Sequence, residues 1–462
     1  MTWQRSASQW FRLPAERLWD VLSRPERWAE WNPAVAGAAL DGGLREGATG
    51  HYSPAHRLLG PLHSRTAPAF TVTAAEPVRR LALRQPQPGG HQDIEWTVEE
   101  RDGGTLFTQT VSLHGPLAQQ FGLTAGEPLV RRFAEQCARL YRLAEAHDGD
   151  RPERLTVLAG GSGFLGTLLA ADLTCSGHDV AVLARARRSS PFRQILWDGR
   201  RPGAWSEELG RAGSLSIVNL CGADLDRPGT PENLELLERS RTVPTLALAA
   251  ASREWERPVA HWVQQSGVHV YAGLSEPAGE TAPVPESTPG LAAVVRAWEA
   301  SAAGARAERM SIMRTGVVLH RDAPLMSRLA TPARLGAGGH LGTGGQWFSW
   351  IHAADWVRAA RTALGLPPGP GEEPLGVPAG VMNATAPHPV TNREFMARLR
   401  DALGVPAGIP APTPLFRLAA AVLRTNPDLA LDSIRAVPES LLSAGFRFEH
   451  PYLASALEEM TS

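Results

Sequence analysis

Lysine occurs nowhere in the 462 residues, so all 46 basic side chains are arginine. That absence excludes a Walker-A phosphate lysine, a Schiff base and a tyrosine–lysine proton relay. Cysteine is nearly absent. Cys137, Cys175 and Cys221 stand alone, odd in number and without a C-x-x-C pair. They read as free thiols in a reducing cytoplasm, with no zinc site and no disulfide frame. No apolar run approaches the roughly 20 residues of a bilayer span. The opening "MTWQRSASQWFRL" lacks the continuous apolar core of a signal peptide. The formal net charge is −1, so neither a basic field for nucleic acid nor an acidic tail is present. The expectation is a cytoplasmic chain with no membrane span and no nucleic-acid partner.

What is present fits two to four domains of ordinary globular composition, with 43% hydrophobic and 20% charged residues. Residues 1–148 read as α+β. "SASQWFRL" alternates as a strand. "PAERLWDVLSRPERWAEW" reads as a helix opened by Pro14, with Leu18, Trp19, Val21 and Leu22 apolar. "AFTVTAAEP", "RRLALRQ", "DIEWTVEERDGG" and "TLFTQTVSLHG" are strand-like, the last two joined as a hairpin through "RDGG". "GEPLVRRFAEQCARLYRLAEAH" closes the segment as one amphipathic helix, with Leu129, Phe133, Cys137, Leu140 and Tyr141 near helical spacing. This order, with the "PxxxLWDVLSRPERWAEWNP" stretch, resembles the helix-grip fold of the START/polyketide-cyclase superfamily. The resemblance implies an apolar ligand held between the long helix and a curved sheet. Otherwise the Trp and Leu residues simply fill a core.

"DGDRPE" (148–153) reads as a hinge, after which the pattern changes. "RLTVLAG", "HDVAVLAR", "SLSIVNLCG", "PVAHWVQQSG" and "RMSIMRTGVVL" are buried strands separated by helical runs. This alternation predicts a doubly wound, parallel Rossmann-type α/β sheet over 154–405. "GLPPGPGEEPLGVPAG" (365–380) reads as a surface loop and "GVPAGIPAPTP" (404–414) as a linker. A small helical domain over 406–462 follows.

The stretch "LAGGSGFLG" (158–166) places Gly160, Gly163 and Gly166 as GxxGxxG between strand and helix. The first glycine permits the turn, the second lets backbone approach a pyrophosphate, and the third lets helix and strand pack. The helix N-terminus offers free N–H groups to phosphate. Ser162, Phe164 and Leu165 share this loop; Ser162 is not a hydrolase nucleophile, because Phe164 occupies the second glycine position of GxSxG. An NAD-binding chain usually carries Asp or Glu at the end of the second strand. Here Arg185 stands there, followed by Arg187, Arg188, Ser189 and Ser190. Arginine suits a 2′-phosphate, so the expected cofactor is NADP(H). A solvated basic loop is the plainer reading of Arg187 and Arg188.

"LAGGSGFLG", "VNLCG" (218–222), "RTGVVL" (314–319), "GGQWFSWIHAADW" (344–356) and "NATAPHPVTNREF" (383–395) together resemble an extended short-chain dehydrogenase/reductase family, the NAD-dependent epimerase-like proteins. Its members end in a short helical domain of unknown function, and fusion to an N-terminal helix-grip domain also occurs in it. The resemblance implies that Asn219, Leu220 and Gly222 line the cofactor. It also places Trp350, Ile351, His352 and Asp355 near a substrate cleft, closed by Asn383 and the "TAPHP" turn. His352 reads as a proton carrier or as a packed structural histidine.

Such dehydrogenases use a Tyr with a Lys four residues later, because a phenol near pKa 10 is a poor base without a fixed cation. Aligning "GLAAVVRAWE" with the family puts Leu291 at the tyrosine position and Val295 at the lysine position. The serine position falls at Gly267, beside Ser266. Tyr271, the sole tyrosine between 154 and 451, and His269 follow the fifth strand and are the substitute donors; Tyr271 can equally be a packed loop residue. Arg314 reads as a ligand for a cofactor phosphate or anionic substrate, or as half of an ion pair. No metal-ligand spacing is evident. Two functions stay open: an NADP(H)-dependent oxidoreductase or epimerase acting on an undetermined small molecule with non-standard acid/base residues, and a non-catalytic NADP(H)-dependent binding or regulatory protein. In either, the N-terminal domain can deliver an apolar ligand to the second domain.

Overall fold

The alternating N-terminal segment forms β1 (Thr2–Phe11), followed by α1 (Ala15–Leu22). The computed structural model of the chain describes residues 2–55, 68–145 and 154–461; the 148–153 hinge lies outside them. The helix expected over 14–31 is broken. Pro14 caps α1 from an extended conformation, and Arg24 (φ −113°, ψ 93°) leaves the helical region before Pro25, where the proline ring disfavours it. A single turn, Trp28–Trp31, resumes the helix.

Six strands follow: β2 (Val35–Leu40), β3 (Thr49–Pro54), β4 (Phe70–Glu76), β5 (Arg80–Gln87), β6 (Gly90–Arg101) and β7 (Gly104–His114). They make one antiparallel sheet in the order β1-β7-β6-β5-β4-β3-β2. The β6–β7 hairpin turns through Asp102 (φ 51°) and Gly103 (φ 72°), the paired positive φ values that a tight Asp-Gly turn requires. β2 and β3 were not evident in the sequence, where "VAGAAL" and "TGHYSP" show little alternation.

The closing helix is also in pieces. Arg131 is extended (ψ 139°) and Arg132 left-handed (φ 63°), so the long helix α2 starts only at Phe133 and runs to Ala144. The break frees the Leu129 carbonyl, which accepts hydrogen bonds from Gln109 Nε2 (3.1 Å) and Gln136 Nε2 (2.8 Å). Tryptophan fills the space between α2 and the sheet. Trp96 packs edge-on against Trp28 (centroids 5.0 Å) and Trp31 (5.5 Å). The cavity left beside Trp28, Tyr52, Trp96 and Leu129 is about 10 Å³, near the minimum for one water molecule.

The second half is a doubly wound parallel sheet. β8 (Arg154–Ala159), α3 (Phe164–Cys175), β9 (Asp179–Ala184), β10 (Arg193–Leu196) and β11 (Ser214–Asn219) form its first half. α4 (Pro231–Glu254), β12 (Val259–Gly267), α5 (Leu291–Ala302) and β13 (Ala307–Thr315) continue it. The expected strand 309–319 is in fact two. Gly316 separates β13 from β14 (Val317–Leu319), where the backbone switches partner: Gly316 N–H donates to the Ala384 carbonyl and Val317 N–H to the Ser349 carbonyl. β15 (Trp347–Phe348), β16 (Trp350–His352), α6 (Ala353–Ala363) and β17 (Gly380–Ala384) follow. The sheet order is β10-β9-β8-β11-β12-β13-β17, and β14 pairs separately with β16. Residues 365–379 form an irregular loop, as expected, although Val377 is buried.

The C-terminal segment contributes α7 (Thr413–Leu423) and α8 (Leu453–Thr461). It also threads back through the Rossmann unit. Ala436 bridges to Ala278, Ile434 N–H donates to the Trp347 carbonyl, and Ser349 Oγ donates to the Ile434 carbonyl. At the opposite end, α2 packs on α3, and Arg12 N–H donates to the Cys175 carbonyl (2.8 Å).

Candidate nucleotide site

β8 delivers the glycine loop to the N-terminus of α3, at the centre of the sheet. Gly160 has φ +80°, and a Cβ on it would meet the Leu220 carbonyl oxygen at 2.6 Å. At Gly166 a Cβ would lie 2.5 Å from Gly161 Cα, so the loop and helix touch backbone to backbone. Gly163 occupies the N-cap position and offers no capping side chain. The first-turn N–H groups of α3 therefore face outward without an intrahelical acceptor. Ser162 and Gly163 are exposed, while Phe164 and Leu165 are half-buried. Phe164 lies against His320 (centroids 5.3 Å) and Leu165 packs on the central core. These side chains face protein, and what they present to the groove is backbone.

The β11 turn forms the other wall. Asn219 is fully buried. Its Nδ2 donates to Thr245 Oγ1 (2.7 Å) and Gln264 Oε1 (3.0 Å), and its Oδ1 accepts from Cys221 N–H (3.2 Å). Asn219 thus shapes the turn from behind rather than lining the groove with its side chain. Gly222 is exposed, and a Cβ on it would lie 2.8 Å from the Arg241 guanidinium carbon. Arg241, on α4, was not singled out in the sequence. Its guanidinium is buried, donates to the Leu237 and Ala223 carbonyls (both 3.0 Å) and lies over the Trp298 ring. Burial lowers its pKa to about 10. A helical arginine with no nearby motif gives no sequence signal for this role.

Arg185 ends β9 exposed, and its guanidinium has no ion pair among the described residues. Arg187 and Arg188 are likewise exposed, and Gln194 ties down the Arg188 backbone (2.9 and 2.6 Å). Arg139 of α2 donates to Ser189 Oγ (3.2 Å), so the N-terminal sheet's helix reaches this loop.

Beyond β12 the structure gathers Ser266, Tyr271 and Arg314 with Glu299, Asn383 and Glu280. Ser266 Oγ donates to Glu299 Oε1 (2.6 Å). Arg314 clasps Glu299 through Nε and Nη2 (2.8 Å each), and its Nη1 donates to Tyr271 Oη (2.9 Å). Tyr271 Oη donates to Asn383 Oδ1 (2.9 Å), and Asn383 N–H donates to Glu280 Oε1 (2.9 Å). Tyr271 is 1% exposed. Burial raises its pKa, opposed by the Arg314 guanidinium. Burial alone would lower the pKa of Arg314, but the Glu299 carboxylate raises it. The Arg314 guanidinium thus forms an ion pair with Glu299 inside the protein, one of the two readings its sequence left open. Val295, at the family's lysine position, packs beside Tyr271, and a Cβ on Gly267 would lie 3.6 Å from it. His269 is held neutral, burial lowering its pKa to about 4.

His352 lies elsewhere. Its Nδ1 accepts from Ala354 N–H (3.3 Å), capping α6, and its Nε2 meets Glu459 Oε2 of α8 (3.2 Å). Asp355 accepts from Glu449 and His450 N–H (2.7 and 2.9 Å). The "WIHAAD" element thus anchors the C-terminal segment.

Residues 3–147 match the family "Polyketide cyclase / dehydrase and lipid transport", 156–372 the "NAD dependent epimerase/dehydratase family", and 411–460 a domain of unknown function. The human epimerase family protein SDR39U1 is 32% identical over 318 residues, covering 66% of this chain and 99% of the relative. This chain belongs to that epimerase family. An Arabidopsis thaliana member, described as chloroplastic, is 30% identical over 351 residues, 74% of this chain and 96% of its own length. The crystal structure of human SDR39U1 with NADPH is 28% identical, with a TM-score of 0.54, over 66% of this chain and 99% of that one. A nucleoside-diphosphate sugar epimerase from Corynebacterium glutamicum, 22% identical, shares the fold over 99% of this chain and 90% of its own (TM-score 0.59). The family member described here is thus a Rossmann epimerase-type unit fused to a polyketide-cyclase-type domain. No helix among the described residues is long and apolar enough to cross a membrane.

Proposed function

We infer that the Rossmann unit binds NADP(H) and that Tyr271 is a pinned structural phenol rather than its proton donor. The observation that carries the cofactor reading is Arg185, an exposed arginine without an ion pair among the described residues, at the strand end where an NAD-selective chain places a carboxylate. The α3 N-terminus and the backbone of Gly160, Gly163 and Gly166 would hold the pyrophosphate, with Arg185 on the 2′-phosphate. The glycine cradle fits such a group, since a Cβ on Gly160 or Gly166 would strike neighbouring backbone and push the loop out of the shape that exposes its N–H groups. When bound, the nicotinamide supplies or accepts a hydride. In this chain Tyr271 is buried with its hydroxyl held from both sides, Ser266 is held by Glu299, and His352 caps a helix. All three acid/base candidates are committed to packing. Fluorescence titration with NADPH and NADH tests the cofactor reading, which fails if the chain prefers NADH.

One observation favours the second reading, an oxidoreductase or epimerase with unusual acid/base groups. Arg314 donates to the Tyr271 hydroxyl at 2.9 Å, and a fixed cation is what a catalytic phenol needs. NADPH consumption with a panel of carbonyl compounds, abolished in Tyr271→Phe, would establish it.

The same reading divides the chain into units over 1–148, 154–405 and 406–462, supported by the separate sheets and the irregular stretch after Leu403. An apolar ligand in the N-terminal unit fits its family, on condition that the Trp28–Trp96 pair separates, because the present cavity admits no lipid. Three free, buried thiols support a reducing compartment such as the cytoplasm.

A further inference from the structure

On the solvent face of the N-terminal sheet, far in sequence from the glycine loop, His91, Asp93 and His114 converge. β6 and β7 pair His91 directly opposite His114, so both rings leave the same face. Asp93 lies two residues beyond His91 on that face, since side chains alternate along a strand. The rings stack at 4.7 Å between centroids. Both Nε2 atoms point at one carboxylate oxygen, Asp93 Oδ2, from 3.5 Å (His91) and 3.7 Å (His114). One ligand atom from each residue lies within 4.8 Å of the others, and no second group of this kind occurs among the described residues.

We propose that His91, Asp93 and His114 form a divalent-metal site of the Zn²⁺ class. Zinc takes imidazole nitrogen and carboxylate oxygen at about 2.0–2.2 Å, which sets neighbouring ligands roughly 3.4 Å apart in a tetrahedron. The two nitrogen–oxygen separations to Asp93 Oδ2 need to close by only a few tenths of an ångström. Two nitrogens and one oxygen suit zinc better than the oxygen-seeking Mg²⁺ or Ca²⁺. The three side chains are 33%, 27% and 38% exposed in chain order, so a fourth position is open to water. The surroundings are ordered as a ligand set needs. Thr2 Oγ1 lies 3.4 Å from His114 Nδ1 and directs Nε2 inward. Arg84 clasps Asp93 through Nε (2.7 Å) and Nη2 (2.9 Å), fixing the carboxylate plane. It also competes with the metal for the same oxygens. The sequence concealed the site because the two histidines are 23 positions apart and meet only through strand register.

The test is calorimetric titration of the full-length, untagged chain with Zn²⁺ alone at pH 7.5, together with thermal melts. The expected result is one Zn²⁺ bound per chain, a rise in Tm on adding Zn²⁺, and loss of both in His91→Gln/His114→Gln. Exposed strand positions tolerate Gln, and an unchanged far-UV spectrum verifies the fold. Asp93→Asn, which removes the carboxylate charge at nearly constant shape, should weaken binding at least tenfold. Absence of binding in the parent chain, or an undiminished single site in the double variant, overturns the proposal. Undiminished binding in Asp93→Asn overturns the assignment of Asp93 as a ligand.

Discussion

Arg314 links two functions of charge in one side chain: it clasps the Glu299 carboxylate along one edge and donates to the Tyr271 hydroxyl from the other. Removing it leaves the Glu299 charge with the Ser266 hydroxyl alone and Tyr271 with Asn383 alone. Arg314→Met should therefore cost about 3–5 kcal/mol, the range for breaking a buried pair. Tyr271→Phe, which removes one hydrogen-bonding group, should cost about 1–3 kcal/mol. Urea unfolding measures both; equal and small losses would mean that the network is not a structural brace.

Arg185→Ala should weaken NADPH binding by roughly ten- to a hundredfold, the equivalent of one charge-assisted contact. NADH affinity should hardly change, because NADH has no 2′-phosphate. An equal loss for both nucleotides would place Arg185 on the shared part of the molecule instead.

Gly160→Ala meets two obstacles, a positive φ and the Leu220 carbonyl. Its strain of about 1–3 kcal/mol must be relieved by moving the loop or the β11 turn. NADPH binding should be lost while the far-UV spectrum is retained. A variant that binds normally would refute the cradle.

Burial holds His178, His269 and His320 neutral, lowering each pKa to about 4 from 6.5. Between those values the unfolded chain binds more protons than the folded one, so stability falls as pH drops from 6.5 to 4 and is complete above 6.5. Urea midpoints at pH 7.5 and 5 should show the loss, and His320→Gln should reduce it. A flat profile would show that these rings reach solvent.

Trp96→Ala should open a space in the N-terminal core at a cost of about 3–5 kcal/mol. An apolar fluorescent probe should bind this variant and ignore the parent chain. Binding by the parent at comparable affinity would mean that the tryptophans move aside unaided.

The doubly wound sheet was legible because parallel strands buried on both faces read as continuous apolar runs, and the glycine loop because its spacing encodes backbone geometry. The breaks at Arg24, Arg131–Arg132 and Gly316 were not. The first has a local signal, the proline after Arg24, that the apolar spacing around it masked; the other two depend on what the chain meets in space, a carbonyl needed by Gln109 and Gln136 and the Ser349 backbone. The candidate site divides in the same way. Arg185 was found by its position after a strand, whereas Arg241, Glu299 and Glu280 act through contacts that join distant segments. Arg314 and Asn219 are buried, and their partners come from segments that the sequence does not place beside them.

The return of residues 434–437 beside Ala278 and Asn383 has a consequence for biosynthesis. Asn383 Nδ2 donates to the Val437 carbonyl (2.9 Å), and Glu280 accepts from Ser440 N–H (3.2 Å). Chains grow from the N-terminus, and domains emerging first fold first. The seven strands of the Rossmann sheet can assemble once Ala384 has cleared the ribosome. The chamber around Tyr271 must wait for about fifty more residues, leaving a nascent protein whose sheet is finished and whose interior is still wet.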